Sequence, residues 1–154
     1  MAVYGPRKVG SFGNSDPVFF HGVAGGTFAI GDFVMQEGTS GQIVVCTAGS
    51  SILGIARSVG VDGSACTVDV TPMMLVVMDN DLDTQTSIDA TDCLEFANFI
   101  GGTGAMVVDT NTHSATKAQL LLLKNNPQGY GVDSDTSMGL YLVVERAMSE
   151  QAAA

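Results

Sequence analysis

The strongest constraint on the fold is the stretch from Gly25 to Val70, where short apolar runs alternate with turn-forming residues. Four runs of strand length contain β-branched or aromatic side chains, and clusters of Gly, Ser, Thr and Asp separate them. These runs span residues 28–35, 42–47, 52–59 and 66–70. In the last run apolar and polar residues alternate, which is the period of a half-buried strand. The stretch predicts a small antiparallel β-barrel or β-sandwich.

The flanking segments predict more β-structure around this unit. Residues 18–23, 73–78, 105–109 and 139–146 are short apolar runs bounded by turn residues, so we interpret them as strands. The segment from Asp89 to Asp92 predicts one helical turn capped by an Asp or Thr side chain. The leucine-rich segment 118–124 fits either a helix or a buried strand, because four consecutive leucines have no period. With 19 glycines in 154 residues, the chain is typical of an all-β fold with many tight turns.

Composition divides the chain into four parts. Residues 1–17 are rich in Gly and Pro and predict an extended N-terminal arm. Residues 18–78 form the predicted barrel or sandwich unit, and residues 79–148 a second β-rich unit. The boundary is placed at the acidic segment 79–83, the sharpest composition change in the chain. Residues 149–154 are predicted to form an exposed tail. Whether the two units share one sheet system is left open at this point.

The arm combines spaced apolar residues with two basic ones, a pattern that suits binding to an acidic partner surface. Its predicted contact residues are Val3, Tyr4, Arg7, Lys8, Val9 and Phe12. In a free, solvated tail the apolar residues of this set would be exposed to water without a packing partner. The alternatives are a frayed terminus and an edge strand on the chain's own domain.

The net charge of −10 is unevenly distributed. Residues 1–78 have three basic and five acidic side chains, whereas residues 79–154 have three basic and eleven acidic ones. Because an acidic surface repels phosphate backbones and anionic lipid, we expect no nucleic-acid partner and no membrane partner. No apolar run approaches the roughly 20 residues of a membrane helix.

The cysteines and the N-terminus predict synthesis in a reducing cytoplasm. Cys46, Cys66 and Cys93 are odd in number and widely spaced, without a CxxC pair, which argues against a disulfide framework and a zinc site. We expect them to be reduced and to act as small apolar residues. The first ten residues have charge but no apolar segment behind it, so no signal peptide is expected.

Candidate catalytic groups are scarce. The two histidines, His21 and His113, are not part of a nucleophile motif such as GxSxG. His21 is predicted to be a core or interface residue on a strand, and His113 an exposed residue in a polar loop. The segment 101–104 is glycine-rich but lacks the GK[ST] ending of a phosphate loop, so a simple turn is expected. We therefore predict that the chain is not an enzyme and binds no cofactor.

The predicted metal-site candidates are limited to one acidic loop. Asp79, Asp81 and Asp83 have the 1, 3, 5 spacing of a calcium loop, but Thr84 and Ala90 occupy the positions that need Gly and Glu. An EF-hand is therefore excluded, and no metal site is predicted. Weak divalent binding by this loop is left open.

The order of these segments resembles the small decoration, or cement, proteins of tailed-bacteriophage capsids. In the first half the motifs are A-G-G-x-F-A-I-G-D-F-V (24–34), G-Q-I-V-V (41–45), I-L-G-I-A (52–56) and C-T-V-D-V (66–70). In the second half they are G-A-M-V-V-D (104–109), A-Q-L-L-L-L (118–123) and L-Y-L-V-V-E (140–145). Together they cover about four-fifths of the chain, without the arm and the tail.

The resemblance implies a structural virion protein that binds the outer surface of an assembled icosahedral capsid. Such proteins sit as dimers or trimers at local symmetry positions and bridge neighbouring major capsid proteins. The resemblance thus implies a homodimer or homotrimer whose partner is the major capsid protein, with the N-terminal arm as the contacting element.

Two other functions are considered beside it. The first is a β-rich domain of a viral fibre or spike that attaches to a host surface, although such domains often have aromatic sugar-binding faces and this chain has no Trp. The second is a small β-barrel enzyme or small-molecule binder, which the missing catalytic constellation disfavours.

Overall fold

The chain folds into three antiparallel sheets, as the computed structural model shows for residues 5–13, 16–81, 88–125 and 137–144. The described strands are β1 (Arg7–Ser11), β2 (Phe19–Val23), β3 (Phe33–Gln36), β4 (Ile43–Val45), β5 (Gly54–Ala56), β6 (Ala65–Asp69), β7 (Met74–Asp79), β8 (Phe96–Ala97), β9 (Phe99–Ile100), β10 (Val107–Val108), β11 (Leu120–Asn125) and β12 (Met138–Val143). Two single-turn 3₁₀ helices, Ala90–Asp92 and Thr110–Thr112, interrupt them. The all-β prediction is confirmed.

Two five-stranded sheets make up most of the structure. Sheet I has the strand order β1-β7-β12-β11-β8, and sheet II has the order β2-β6-β5-β3-β4. Strands β9 and β10 form a separate two-stranded ribbon. The predicted strands at 18–23, 66–70, 73–78 and 139–146 match β2, β6, β7 and β12 to within a few residues.

The two large sheets share one apolar core. Phe33 and Ile55 of sheet II belong to the same buried cluster as Val76, Leu122 and Tyr141 of sheet I. The ring of Phe33 also packs against Phe99 of the ribbon, with 5.1 Å between ring centroids. Two antiparallel sheets that bury facing side chains in this way form a sandwich-like arrangement.

Sheet II is curled, but it does not close into a barrel. Beyond the end of β2, Ala24 makes a single parallel bridge with Ile43 of β4, where the Gly25 N–H donates to the Ile43 carbonyl at 2.8 Å. The bridge does not continue into a strand pair among the described residues. A second core cluster, with Phe28, Val34 and Val68 among its members, lies on the other face of sheet II. Of the two predicted architectures, the sandwich fits.

The predicted division between residues 78 and 79 does not match the sheet order. It falls inside β7, which lies between β1 and β12 in sheet I. The acidic segment marks the end of this strand: Asp79 accepts a hydrogen bond from the Asn80 N–H, and Asp81 accepts one from the Thr110 hydroxyl at 2.7 Å. Residues of both predicted units thus belong to one sheet system. The tail 149–154 lies outside the described residues.

The leucine-rich segment is a strand, which settles the choice between helix and strand. Leu120 and Leu122 point into the shared core, while Leu121 and Leu123 are half-buried on the opposite face. Strand β11 lies inside sheet I, between β12 and β8. Because both faces are at least partly covered, the strand has no polar alternation, which is why the sequence showed no period.

Two buried polar side chains connect distant parts of the chain. Gln119 is fully buried; its Nε2 donates to the Thr47 and Ser50 carbonyls at 3.0 and 2.6 Å, and its Oε1 accepts from the Phe99 N–H. Buried Asp32 accepts hydrogen bonds from the Ala29 and Gly104 N–H groups at 2.9 and 3.0 Å. These bonds fix loops of sheet II against the second half of the chain.

Replacing the buried glutamine, as in Gln119→Ala, should destabilise the protein by about 3 kcal/mol, because buried backbone groups lose their partners and a cavity forms. Urea unfolding of the variant and of the exposed control Gln36→Ala measures the effect. The control should change stability by less than about 0.5 kcal/mol. Equal effects of the two substitutions would contradict the linking role of Gln119.

Candidate functional site

The structure places the predicted arm on the chain's own sheet as far as it is described. Val3 and Tyr4 lie outside the described residues. Arg7 to Ser11 form β1, which pairs with β7 at the edge of sheet I, so the intramolecular alternative holds for this segment. Arg7 is exposed, and Phe12 is 58% exposed. Val9 is half-buried against a small apolar cluster formed by Val77, Met138 and Leu140.

Lys8 forms an ion pair and a hydrogen bond with residues of its own chain. Its Nζ lies 2.7 Å from Asp69 Oδ2 and 2.9 Å from Thr71 Oγ1. The Val18 N–H also donates to the Thr71 hydroxyl, at 3.1 Å. Burial acts to raise the pKa of Asp69, but the hydrogen bonds from Lys8 and Thr71 outweigh it and hold that pKa below its ordinary value. This group of residues joins β1 to β6 and to the start of β2, which leaves Lys8 a structural role.

The most prominent surface feature is the apolar edge, defined here as Val18, Phe19, Phe20 and Val23 on and beside β2. These four side chains are between 40% and 47% exposed. Strand β2 is the outermost strand of sheet II, and among the described residues the strand itself pairs with β6 along one side. Phe12 and Met73 are also exposed, and the Phe12 N–H donates to the Met73 carbonyl at 2.7 Å.

Local packing explains how two adjacent phenylalanines come to lie on an edge. Phe20 and Gly22 share one face of β2, and a Cβ on Gly22 would lie 2.8 Å from Phe20 Cε1. The glycine therefore leaves room for the Phe20 ring along the strand. Phe19 points to the opposite face, as does His21, which follows the alternation of a strand. Residues 18–23 have no charged side chain to discourage edge pairing.

The two histidines do not lie where the sequence placed them. His21 is exposed, so the core half of its prediction is wrong; its Nδ1 lies 3.2 Å from Thr67 Oγ1. The prediction that His113 is exposed is also wrong. Its side chain keeps only 5% of its accessible surface, and it faces Glu95 with 3.6 Å between Nδ1 and Oε2. The loop is polar in sequence, but it folds back onto the segment before β8.

Asp92, Glu95 and His113 form a cluster of possible metal ligands. One ligand atom from each lies within 4.8 Å of the other two. Asp89 caps the first 3₁₀ turn, and its own N–H donates to Asp92 Oδ2 at 2.8 Å, which orients that carboxylate. Burial raises the pKa of the Tyr141 phenol, and the nearby charge of Asp92 raises it further.

The acidic loop is only partly described. Asp83 lies outside the described residues. The carboxylates of Asp79 and Asp81 accept the hydrogen bonds from Asn80 and Thr110 given above. The question of weak cation binding at this loop stays open.

All three cysteines are free thiols, as predicted. Burial raises the pKa of Cys46 to about 12, against the weaker opposing effect of a hydrogen bond with the Thr47 backbone. Burial also raises the pKa of Cys66. Cys93 is partly buried, and its Sγ lies 3.8 Å from Asn125 Oδ1.

No protein-family model matches the chain, and no curated protein shows significant similarity to it.

Among the described residues, no helix is long and apolar enough to cross a membrane. The prediction that the chain has no enzymatic activity stays a prediction.

Two features of the site escaped the sequence analysis. The apolar edge was recognised as a strand, but its edge position depends on the pairing order of sheet II. The cluster around His113 depends on the antiparallel bridge between Phe96 and Ser114, which places a loop residue beside Glu95. The three-residue spacing of Asp92 and Glu95 within a capped turn was the available sequence signal.

Breaking the partly buried ion pair with Lys8→Met should cost about 3 kcal/mol at pH 7, because buried Asp69 is left charged and without its cation. Asp69 has a lowered pKa in the folded state, so its stabilising contribution is present above the unfolded pKa of about 3.9 and is lost as the pH falls through the folded pKa. The difference between wild type and variant should therefore shrink at pH 2–3.

Urea unfolding at pH 7 and at low pH measures this difference, with exposed Lys117→Met as the control. A control effect below about 0.5 kcal/mol is expected. A pH-independent difference between wild type and Lys8→Met would contradict the role given to Asp69.

Thiol labelling of the native protein at pH 8 should modify Cys93 at least about ten times faster than Cys46, because the Cys46 thiol is buried and almost fully protonated. Mass spectrometry after timed iodoacetamide treatment measures the rates. All three should react at similar rates in 6 M guanidinium, as a control. Faster labelling of Cys46 in the native protein would show that its burial is wrong.

Proposed function

We propose that this chain is a structural virion protein that binds the outer surface of an assembled icosahedral phage capsid and stabilises it by bridging neighbouring major capsid proteins. The order of its segments resembles decoration proteins, and its all-β fold agrees with that resemblance. In this proposal the protein is made in the host cytoplasm and then occupies the virion surface.

The apolar edge is the observation that carries the proposal. An uncharged strand with two exposed phenylalanines is a site for pairing with another chain, and proteins usually protect such edges with charges, prolines or bulges. Here protection is missing within residues 18–23, in a chain whose net charge is −10. An apolar, open edge suits a partner that adds a strand or offers an apolar groove.

The proposal changes the contact mechanism expected from the sequence. Lys8 is paired with Asp69, so it does not supply a free cation for acidic capsid residues. Of the six predicted arm contacts, Phe12 is the described apolar residue that remains well exposed, and it lies beside exposed Met73. We therefore assign the main capsid contact to the apolar edge.

Stabilisation of the shell follows from linkage. A protein that binds only the assembled shell shifts the equilibrium toward assembly by RT ln(1 + [L]/Kd), which is about 2.7 kcal/mol per site at 100 times Kd. Many copies on one shell, each as a homodimer or homotrimer, would add these contributions through multivalency. The acidic remainder of the surface would keep the unbound protein soluble.

The double variant Phe19→Thr/Val23→Thr tests the proposal. It removes two apolar side chains from one face of β2 while keeping β-branched residues, so the strand should persist. Binding to shells assembled from the major capsid protein of the same virus, measured by co-sedimentation, should weaken at least about tenfold.

The control is Val61→Thr, which changes a valine that is 56% exposed and lies outside β2. It should leave shell occupancy unchanged. If the double variant and the Val61→Thr control occupied shells equally, the apolar edge would not be the capsid contact. Failure of the wild type to bind shells, combined with binding to host cells, would favour the fibre or spike function instead.

A further inference from the structure

The His113 imidazole is buried, yet its ring nitrogens have no hydrogen-bond partner among the described residues. The side chain keeps only 5% of its accessible surface. Buried polar atoms nearly always have a partner, so each exception requires an explanation. The Nδ1 atom faces the carboxylate of Glu95. A group bound between the imidazole and this carboxylate would explain why the ring has no hydrogen-bond partner.

The distance between the two groups excludes a direct hydrogen bond. At 3.6 Å, Nδ1 and Glu95 Oε2 are farther apart than the roughly 2.7–3.2 Å of an N–H···O bond. By contrast, two ligands that each lie about 2.1 Å from a tetrahedral ion are about 3.4 Å apart. The observed separation is therefore close to that of two ligands of one metal ion.

Asp92 lies close to Glu95 and His113 and is the third possible metal ligand. Its carboxylate, the Glu95 carboxylate and the His113 ring lie within 4.8 Å of one another. The Asp89 N–H binds Asp92 Oδ2, which is the kind of outer hydrogen bond that orients a metal ligand. Two carboxylates facing a buried imidazole also concentrate negative charge that a divalent cation would neutralise.

The backbone brings the three residues together by two separate connections. The Glu95 N–H donates to the Asp92 carbonyl at 3.1 Å, which holds these two residues in one turn. Phe96 and Ser114 then exchange backbone hydrogen bonds at 2.8 and 2.9 Å. Glu95 and His113 precede these two residues, so their side chains form a diagonal pair on one face.

We propose that Asp92, Glu95 and His113 bind a divalent transition-metal cation, with Zn²⁺ as the best chemical fit. One imidazole nitrogen and two carboxylate oxygens are a known ligand type for zinc, with a fourth position left for water. Imidazole disfavours Mg²⁺ and Ca²⁺, which prefer all-oxygen sites. The site departs from the sequence-based expectation of no metal, and it is independent of the proposed capsid binding.

The bound ion would act as a clasp. It would join the turn at residues 89–95 to the loop at residues 109–114, next to β8 at the edge of sheet I. Because the folded chain presents the three ligands together and the unfolded chain does not, binding would stabilise the fold.

The test uses tag-free, full-length protein stripped with a chelator. Calorimetric titration with ZnCl₂ should show one ion per chain, and a saturating concentration should raise the Tm by about 5 °C or more. MgCl₂ at the same concentration should not. A Zn²⁺ titration without heat and without a Tm shift would overturn the proposal.

Variants locate the ion. His113→Gln and Glu95→Gln should each weaken Zn²⁺ binding at least about tenfold, whereas the exposed controls His21→Gln and Glu37→Gln should not change it. Cys93→Ser should also retain binding. Loss of binding in the Cys93 variant, or unchanged binding in the His113 variant, would overturn the assignment.

A spectroscopic measurement on wild-type protein keeps the proposal testable if a variant fails to fold. Co²⁺ in place of Zn²⁺ should produce visible d–d absorption, and the Nδ1 resonance of His113 should shift on addition of Zn²⁺ in a nitrogen-15 NMR spectrum. A shift confined to His21 would contradict the proposed site.

Discussion

The packing of the two five-stranded sheets against one apolar core is the contact on which the rest of the structure depends. Sheet I takes β1 from the beginning of the chain, β7 from its middle and β8, β11 and β12 from its second half. Sheet II lies wholly within residues 19–69. Residues from both sides of position 78 contribute strands to sheet I and side chains to this core. The Lys8–Asp69 pair then joins β1 of one sheet to β6 of the other.

Local patterns in the sequence predicted the strands well and their partners poorly. The alternation in residues 66–70 and the apolar run at 73–78 each identify a strand, because both depend on neighbouring residues. The partner of Lys8 is 61 residues away, and Gln119 bonds to carbonyls about 70 residues away. Such contacts depend on the order of strands in a sheet. The local alternation of apolar and polar residues contains no information about that order. The burial of His113 escaped prediction for the same reason.

The two proposed sites lie in different sheets and can be tested apart. The apolar edge borders sheet II, whereas the ligand cluster adjoins β8, at the end of sheet I opposite β1. A substitution at His113 therefore leaves β2 and its phenylalanines unchanged. The contrast in chemistry is equally clear: one site is an uncharged surface suited to protein contact, and the other is a pair of carboxylates around a buried imidazole.

The central claim is that β2 is an edge kept open for a partner on a capsid. Hydrogen–deuterium exchange of the protein, free and bound to shells, examines this edge directly through its backbone amides. If residues 18–23 contact the shell, their amides should exchange more slowly on binding, with little change at β8 on the far edge of sheet I. Slower exchange confined to β8 or to β4, with residues 18–23 unaffected, would contradict this claim.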